Sequence, residues 1–171
     1  MKIKDFRGLF ETGLRYAYDC EQKLVKKGIP SMIKASTSTE LRNALQQHLQ
    51  ETQSHVTRLE RVFSLIGAEP KTEDNDIIDE MKDAADGMVS ATEEGSPLRD
   101  AALIVAGNAV EHYEMAVYGS LVSFARQLGL REVADLLEQT RNEEKAADAK
   151  LTQIGETSVN PSAVGEVRRA A

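Results

Sequence analysis

The chain has 171 residues, 41 % of them hydrophobic and 29 % charged, which suits one soluble domain better than two. Its net charge of −7 disfavours a nucleic-acid binder that relies on phosphate neutralisation, and its single cysteine, Cys20, excludes an internal disulfide framework and any multi-cysteine metal site. No apolar run reaches the roughly 18–20 residues of a membrane helix, and the first residues lack the apolar core of a signal peptide. We therefore expect a cytoplasmic protein with no nucleic-acid or membrane partner.

The first part of the chain predicts two long helices. Apolar residues recur every three or four positions over about residues 4–27, and Gly28 and Pro30 are placed to end or kink this first helix. Ser38 or Thr39 can cap the second helix, which continues to about residue 66 and stops at Gly67.

The segment that follows, about residues 68–96, is rich in acids and contains one short amphipathic pattern, which predicts a short helix. Pro97 then starts a third long helix, which ends before Gly129. A fourth helix follows and ends at Gly155. The residues after Glu156 show no periodicity, so we expect them to lack regular structure.

These lengths predict an all-α fold, a ferritin-like four-helix bundle with a long crossover between helices 2 and 3 that contains a short extra helix. The short links make two antiparallel hairpins. The middle connection can cross the full bundle, because a helix of about 24 residues spans about 36 Å. Helices 2 and 3 should then be parallel. We assign the bundle to residues 1–156 and a flexible C-terminal tail to residues 157–171.

Each predicted bundle helix carries acidic side chains on or beside its apolar face. Buried carboxylates without counter-charges repel one another, and two metal ions would relieve this repulsion. Such a constellation is typical of di-iron carboxylate bundles, and oxygen and imidazole ligands suit iron or manganese. The residues concerned are Glu21 on the first helix, Glu51 and His55 on the second, Glu111 and Glu114 on the third, and Glu144 and Asp148 on the fourth.

The two hairpins also look like a weak internal repeat. Glu21 aligns with Glu114, and the pair Glu51–His55 aligns with the pair 144–148. A duplicated hairpin would place these groups about a pseudo-twofold axis, as a site for two metal ions requires. Glu51 and Glu144 are then the residues expected to bridge the two ions.

Other interpretations of these residues stay open. The acids can simply edge the apolar stripes. His48 and His112 are expected to be structural or to support neighbouring carboxylates. The tyrosines are expected to be core aromatics, with a redox role for one of them as the alternative. Cys20 is read as a structural thiol.

Five stretches of the second, third and fourth helices are distinctive in combination: His48–Thr52, Arg99–Ile104, Val110–Glu114, Tyr118–Gly119 and Glu143–Ala146. In this combination the chain resembles the YciE/YciF-type bacterial stress proteins, a ferritin-like group, over about residues 3–155. The resemblance implies a bundle that is commonly dimeric, a dinuclear site for two iron ions, and an association with general or osmotic stress.

The resemblance also implies that the seven residues named above are the metal ligands, with His55 and Asp148 as one candidate in each half. The spacing departs from the Glu-x-x-His pattern of many ferritin-like sites, because His55 is four residues after Glu51. Manganese or another divalent metal is the alternative to iron. Apolar residues on several sides of the third helix predict a homodimer or larger assembly.

Three functions follow from this interpretation. The first is a stress-associated protein whose dinuclear site reacts with dioxygen or peroxide. The second is a non-enzymatic metal-binding or structural stress protein with a vestigial site. The third is an adaptor that acts through its acidic surface.

Overall fold

The computed structural model describes residues 3–170, which form helices joined by short links, and for residues 166–170 it describes the backbone alone. None of the helices in this described range is long and apolar enough to cross a membrane. Two π-helical turns, Leu24–Gly28 and Gly155–Val159, join α1 to α2 and α6 to α7 without a break. The α-helices are α1 Phe6–Lys23, α2 Ile29–Ala35, α3 Thr39–Leu65, α4 Asp76–Ser90, α5 Pro97–Gln127, α6 Arg131–Ile154 and α7 Asn160–Ala170.

Local capping chemistry fixes most of these boundaries. The side chains of Ser38 and Ser96 accept hydrogen bonds from backbone N–H groups three residues later, and so begin α3 and α5. Gly67 and Gly129 adopt φ of 70° and 73° immediately after α3 and α5. This left-handed conformation favours glycine and ends both helices.

Contacts between helices establish the topology. Asp100, near the start of α5, accepts hydrogen bonds from the backbone N–H groups of Thr37 and Ser38, which immediately precede α3. The starts of α3 and α5 are therefore adjacent, and the two helices are parallel. Tyr18 on α1 donates to Glu60 on α3, and Asn108 on α5 donates to Thr152 on α6, as antiparallel hairpins require. The predicted long crossover and its short helix, α4, are confirmed.

The ends of the first and last bundle helices differ from the prediction. Gly28 and Gly155 do not end a helix, because each lies in a π-turn after which the helix continues. Each π-turn is followed, one residue later, by a proline, Pro30 or Pro161. Proline has no N–H and its ring crowds the carbonyl four residues earlier, so a wider turn at that point lets the helix proceed.

The continuation past residue 156 corrects the expectation of an irregular tail. Val159 is 2 % exposed and Ala163 is 8 % exposed, so one side of this segment packs on the bundle. Two apolar residues four positions apart were too few to show as a periodic pattern in the sequence. The domain boundary at residue 156 remains a prediction.

The interior consists of two apolar layers with a polar layer between them. One layer contains Phe10, Phe63 and Leu137, and the other contains Leu24, Leu45 and Ile154. On every bundle helix the residues between the two layers include buried acids or histidines. The polar layer therefore crosses the middle of the bundle and is formed by all four long helices.

Candidate metal centre

The polar layer consists of side chains that are almost completely removed from solvent. Periodicity explains this placement, because each of them lies at a position of the apolar stripe on its own helix. The members of this layer, called the cluster below, are Glu21 on α1, His48 and His55 on α3, Glu111 and Glu114 on α5, and Glu144 on α6.

Glu21, His55 and Glu144 form a first group within the cluster. The Nδ1 atom of His55 lies 2.9 Å from Oε1 of Glu144 and 3.5 Å from Oε1 of Glu21. One ligand atom from each of the three residues lies within 4.8 Å of the other two, which is compatible with a shared metal ion.

His48, Glu111 and Glu144 form a second group of the same kind. The Nε2 atom of His48 lies 3.0 Å from Oε1 of Glu111, and the three ligand atoms again lie within 4.8 Å of one another. Glu144 belongs to both groups. Its carboxylate is therefore the side chain that the two groups share.

The far side of the His55 ring is held by Glu143. The Nε2 atom of His55 lies 2.9 Å from Oε2 of Glu143, and Arg58 binds both oxygens of that carboxylate at 2.8 and 3.2 Å. Arg58 also donates to Thr140. A proton on Nε2 that is donated to Glu143 leaves Nδ1 free to face Glu21 and Glu144, and this is the usual way in which a carboxylate orients a ligating histidine.

Two further contacts support the carboxylates from behind. The Tyr118 hydroxyl, fully buried, donates to Oε1 of Glu21. The Cys20 thiol donates to Oε1 of Glu114 across 3.6 Å. Each bond uses one oxygen of its carboxylate, and the other oxygen, Oε2, has no hydrogen-bond partner among the described residues.

Burial and mutual contact change the acidity of the cluster. Burial raises the pKa of Glu21, Glu114 and Glu144 above the usual glutamate range. Burial alone would lower the pKa of His55, but contacts with Glu144 and Glu21 outweigh it and raise the value to about 10. The pKa of His48 is also raised, by Glu111 and Glu51 against the effect of burial. His55 is therefore positively charged near neutral pH and offsets part of the carboxylate charge around it.

The cluster fits a metal better than it fits a hydrogen-bonded network. Within the described part of the chain, no hydrogen bond of acceptable geometry is made by one oxygen each of Glu21, Glu111 and Glu114, by either oxygen of Glu144, or by the Nδ1 atoms of the two histidines. Buried polar atoms of a native protein normally have partners, so these seven ligand atoms in one buried layer are groups that could hold a metal ion. The donor set of carboxylate and imidazole suits iron or manganese.

Five of the seven residues predicted as ligands lie in the cluster, and two lie outside it. Glu21, His55, Glu111, Glu114 and Glu144 lie in the cluster, although Glu114 belongs to neither group of three. The Glu51 side chain is 35 % exposed and accepts from Gln47, so it lies outside both groups. Asp148 also lies outside them, 3.3 Å from the exposed His112 ring.

The helical register of α3 explains the position of Glu51. Its buried stripe runs through His48, Thr52 and His55 at spacings of four and three, and Glu51 is about 100° around the helix from Thr52. His48 was expected to be structural or to support a neighbouring carboxylate, and neither Glu143 nor Arg58 was predicted to be a site residue. The spacing of His48 on the buried stripe of α3 could have predicted its place in the cluster. No sequence pattern could have predicted the contact between Glu143 and Arg58, because these residues lie on different helices.

Known proteins share this arrangement of helices. A family model described as "Domain of unknown function (DUF892)" matches residues 5–164. The chain belongs to the DUF892 family. Protein YciF of Escherichia coli (strain K12) is 35 % identical to it over an alignment of 171 positions, which covers 95 % of this chain and 98 % of the relative. The resemblance drawn from the sequence is therefore confirmed.

Solved structures share this fold. The crystal structure of the E. coli stress protein YciF matches with a TM-score of 0.86 and 34 % identity, over 92 % of this chain and 98 % of that one. YcfI from Rhodopseudomonas palustris matches with a TM-score of 0.85 and 36 % identity, over 88 % and 95 %. A Xanthomonas campestris protein at 24 % identity and a TM-score of 0.75 shares the fold.

Proposed function

We propose that this DUF892 member is a stress-associated, ferritin-like protein whose cluster binds two metal ions, iron in the first instance, for reaction with dioxygen or peroxide. The observation that carries the proposal is the pair of three-residue groups that share Glu144. Association with stress rests on the similarity to the E. coli stress protein YciF.

Each group would supply a different set of ligands to its ion. Glu21 and His55 would hold one ion, Glu111 and His48 the other, and Glu144 would contact both. Glu114, with one orphaned oxygen beside the groups, is the remaining carboxylate that can join either ion. When bound, a pair of iron ions supplies redox electrons and open coordination positions for an oxidant.

The protein's own residues determine what else happens in this layer. The apolar layers on both sides exclude bulk water, which strengthens the attraction between the carboxylates and a cation. Glu143 and Tyr118 hold His55 and Glu21 in place before metal arrives, so less ordering is needed on binding. The protons carried by the two histidines must leave when metal binds.

Metal analysis with an oxidant assay tests this proposal. Protein purified without chelator is loaded with ferrous iron under nitrogen, and its iron content is measured per chain before and after gel filtration. We expect two iron ions per chain and consumption of added dioxygen or hydrogen peroxide. Glu144→Gln, which preserves side-chain size, is the matched variant and should retain neither property.

The other outcomes identify the alternatives. Two bound ions without oxidant consumption would mean a non-enzymatic metal-binding protein, and manganese or another divalent ion bound in preference to iron would change the chemistry. Absence of bound metal would refute the site. We also propose a homodimer, because α5 exposes Leu98 and Val105 at 52 % and 58 %; light scattering at micromolar concentration measures this directly.

A further inference from the structure

A surface cavity opens beside the cluster between α3 and α6. Its volume is about 250 Å³, and its walls include Ala44 and Leu45 on α3 and Ala147 on α6. The small alanine side chains on both helices leave this space unfilled. His48 and Glu51 also line the cavity, so it leads from solvent to a member of the cluster.

His48 is the member of the cluster that lines this cavity. The residue is 8 % exposed, and its Nε2 edge faces Glu111 inside the cluster. Its Nδ1 edge has no hydrogen-bond partner of acceptable geometry among the described residues and lies 3.7 Å from Oε2 of Glu51. A buried ring nitrogen without a hydrogen bond, on the cavity side of the cluster, is an incomplete polar site.

Glu51 connects this buried nitrogen to solvent. Its carboxylate lies beside His48 Nδ1, and its side chain is 35 % exposed. Glu143 is another partly exposed carboxylate that touches the cluster, but Arg58 binds both of its oxygens. The cavity beneath α4 and the groove between α1 and α5 are lined by no member of the cluster.

We infer that divalent metal ions reach the cluster through this cavity, with Glu51 as the outer carboxylate that captures the ion and His48 as the group that receives it. This inference rests on the proposed function. Glu51 would increase the rate of metal uptake without being a ligand of the bound ion. From His48 the ion has Glu111 and Glu144 within one ligand sphere. Lys150, on the cavity wall, opposes the approach of a cation.

Stopped-flow binding of Co²⁺ under nitrogen tests the route, because protein-bound Co²⁺ absorbs visible light and needs no turnover. Ala147→Leu fills the cavity from α6, and we expect uptake at least about tenfold slower with an unchanged Kd, since a plug slows binding and release equally. Ala149→Leu is the matched control, because Ala149 is exposed and does not line the cavity. Ala44→Leu plugs the cavity from the opposite wall and provides a second variant if the first folds poorly.

Variants that change the charge beside the cavity should shift the uptake rate in opposite directions. Glu51→Gln should slow uptake by several-fold and leave the Kd unchanged, whereas Lys150→Gln should accelerate uptake, and raised salt should reduce both effects. If a neutral molecule used the same cavity, Ala147→Leu would slow its uptake, but Glu51→Gln and Lys150→Gln would not change it.

The possible results distinguish an error about the entry cavity from an error about metal binding by the cluster. Failure of wild type to bind Co²⁺ would refute the proposed function. Normal Co²⁺ binding with equal uptake rates in Ala147→Leu, Ala44→Leu and Ala149→Leu would overturn the route and leave the site intact. Loss of equilibrium binding in Glu51→Gln would also overturn it, because Glu51 would then be a ligand of the final site.

Discussion

Glu144→Gln should weaken metal binding at equilibrium, whereas Glu51→Gln should leave it unchanged. The sequence repeat makes these two glutamates equivalent, whereas the structure places only Glu144 in both groups of three. The amide keeps the size of the side chain but removes its charge. We therefore expect metal-dependent stabilisation to disappear in Glu144→Gln and to persist in Glu51→Gln.

The size of the effect follows from linkage. Metal at 100 times its Kd stabilises the folded state by about 2.7 kcal/mol for each filled site. For a chain of 171 residues, at about 2–4 °C per kcal/mol, this corresponds to a Tm increase of about 5–11 °C. If the loss of the shared carboxylate weakens each site by about 100-fold, as can follow from disturbing a metal site, the remaining stabilisation is about 0.4 kcal/mol, or about 1 °C.

Thermal melts followed by circular dichroism measure these shifts, with and without ferrous iron under nitrogen. Without metal, Glu144→Gln should melt at or above the wild-type temperature, because it removes a buried carboxylate whose neighbour His55 keeps contacts with Glu21 and Glu143. Equal iron-induced shifts in wild type and Glu144→Gln would refute the bridging position. A large loss of stability without metal would show that Glu144 supports the fold itself.

Three further predictions concern the surroundings of the cluster. Glu143→Ala should weaken Co²⁺ binding by about 10–100-fold in calorimetric titration, because the ring of His55 loses its orienting carboxylate, whereas the exposed Glu132→Ala should not change it. The folded-state pKa of His55 is about 10, against an ordinary 6.5. The stabilisation that protonated His55 gives the metal-free protein is therefore complete below about pH 6.5 and is lost as pH rises through about 10. The urea concentration at the unfolding midpoint should fall over this pH range, and a midpoint that rises would contradict the assigned pKa. Gly107→Ala should be about 1–3 kcal/mol less stable to urea than Gly119→Ala, because the new methyl group would lie 2.7 Å from a Leu151 carbon at position 107 and 3.7 Å from its nearest neighbour at position 119; equal stabilities would show that α6 adjusts freely.

Much of the fold was determined locally and could be predicted for that reason. Hydrogen bonds from a serine side chain to nearby backbone N–H groups start α3 and α5, and a glycine with positive φ ends each of them, so short stretches of sequence carry the information. The length of the crossover then fixes the parallel arrangement of these two helices. The burial of Glu21 and Glu144 was predictable too, because each lies on the apolar stripe of its own helix.

The composition of the cluster depended on the tertiary structure. The sequence pattern shows which side of a helix faces the core, but it does not give the rotation or the axial offset of one helix relative to another. Those quantities, set by the packing of the two apolar layers, bring His48 to Glu111 and Glu143 to His55, and they leave Glu51 at the surface. Residues next to the stripe, such as Glu51 and Glu143, can face either inwards or outwards, and the neighbouring helix decides which contacts they make.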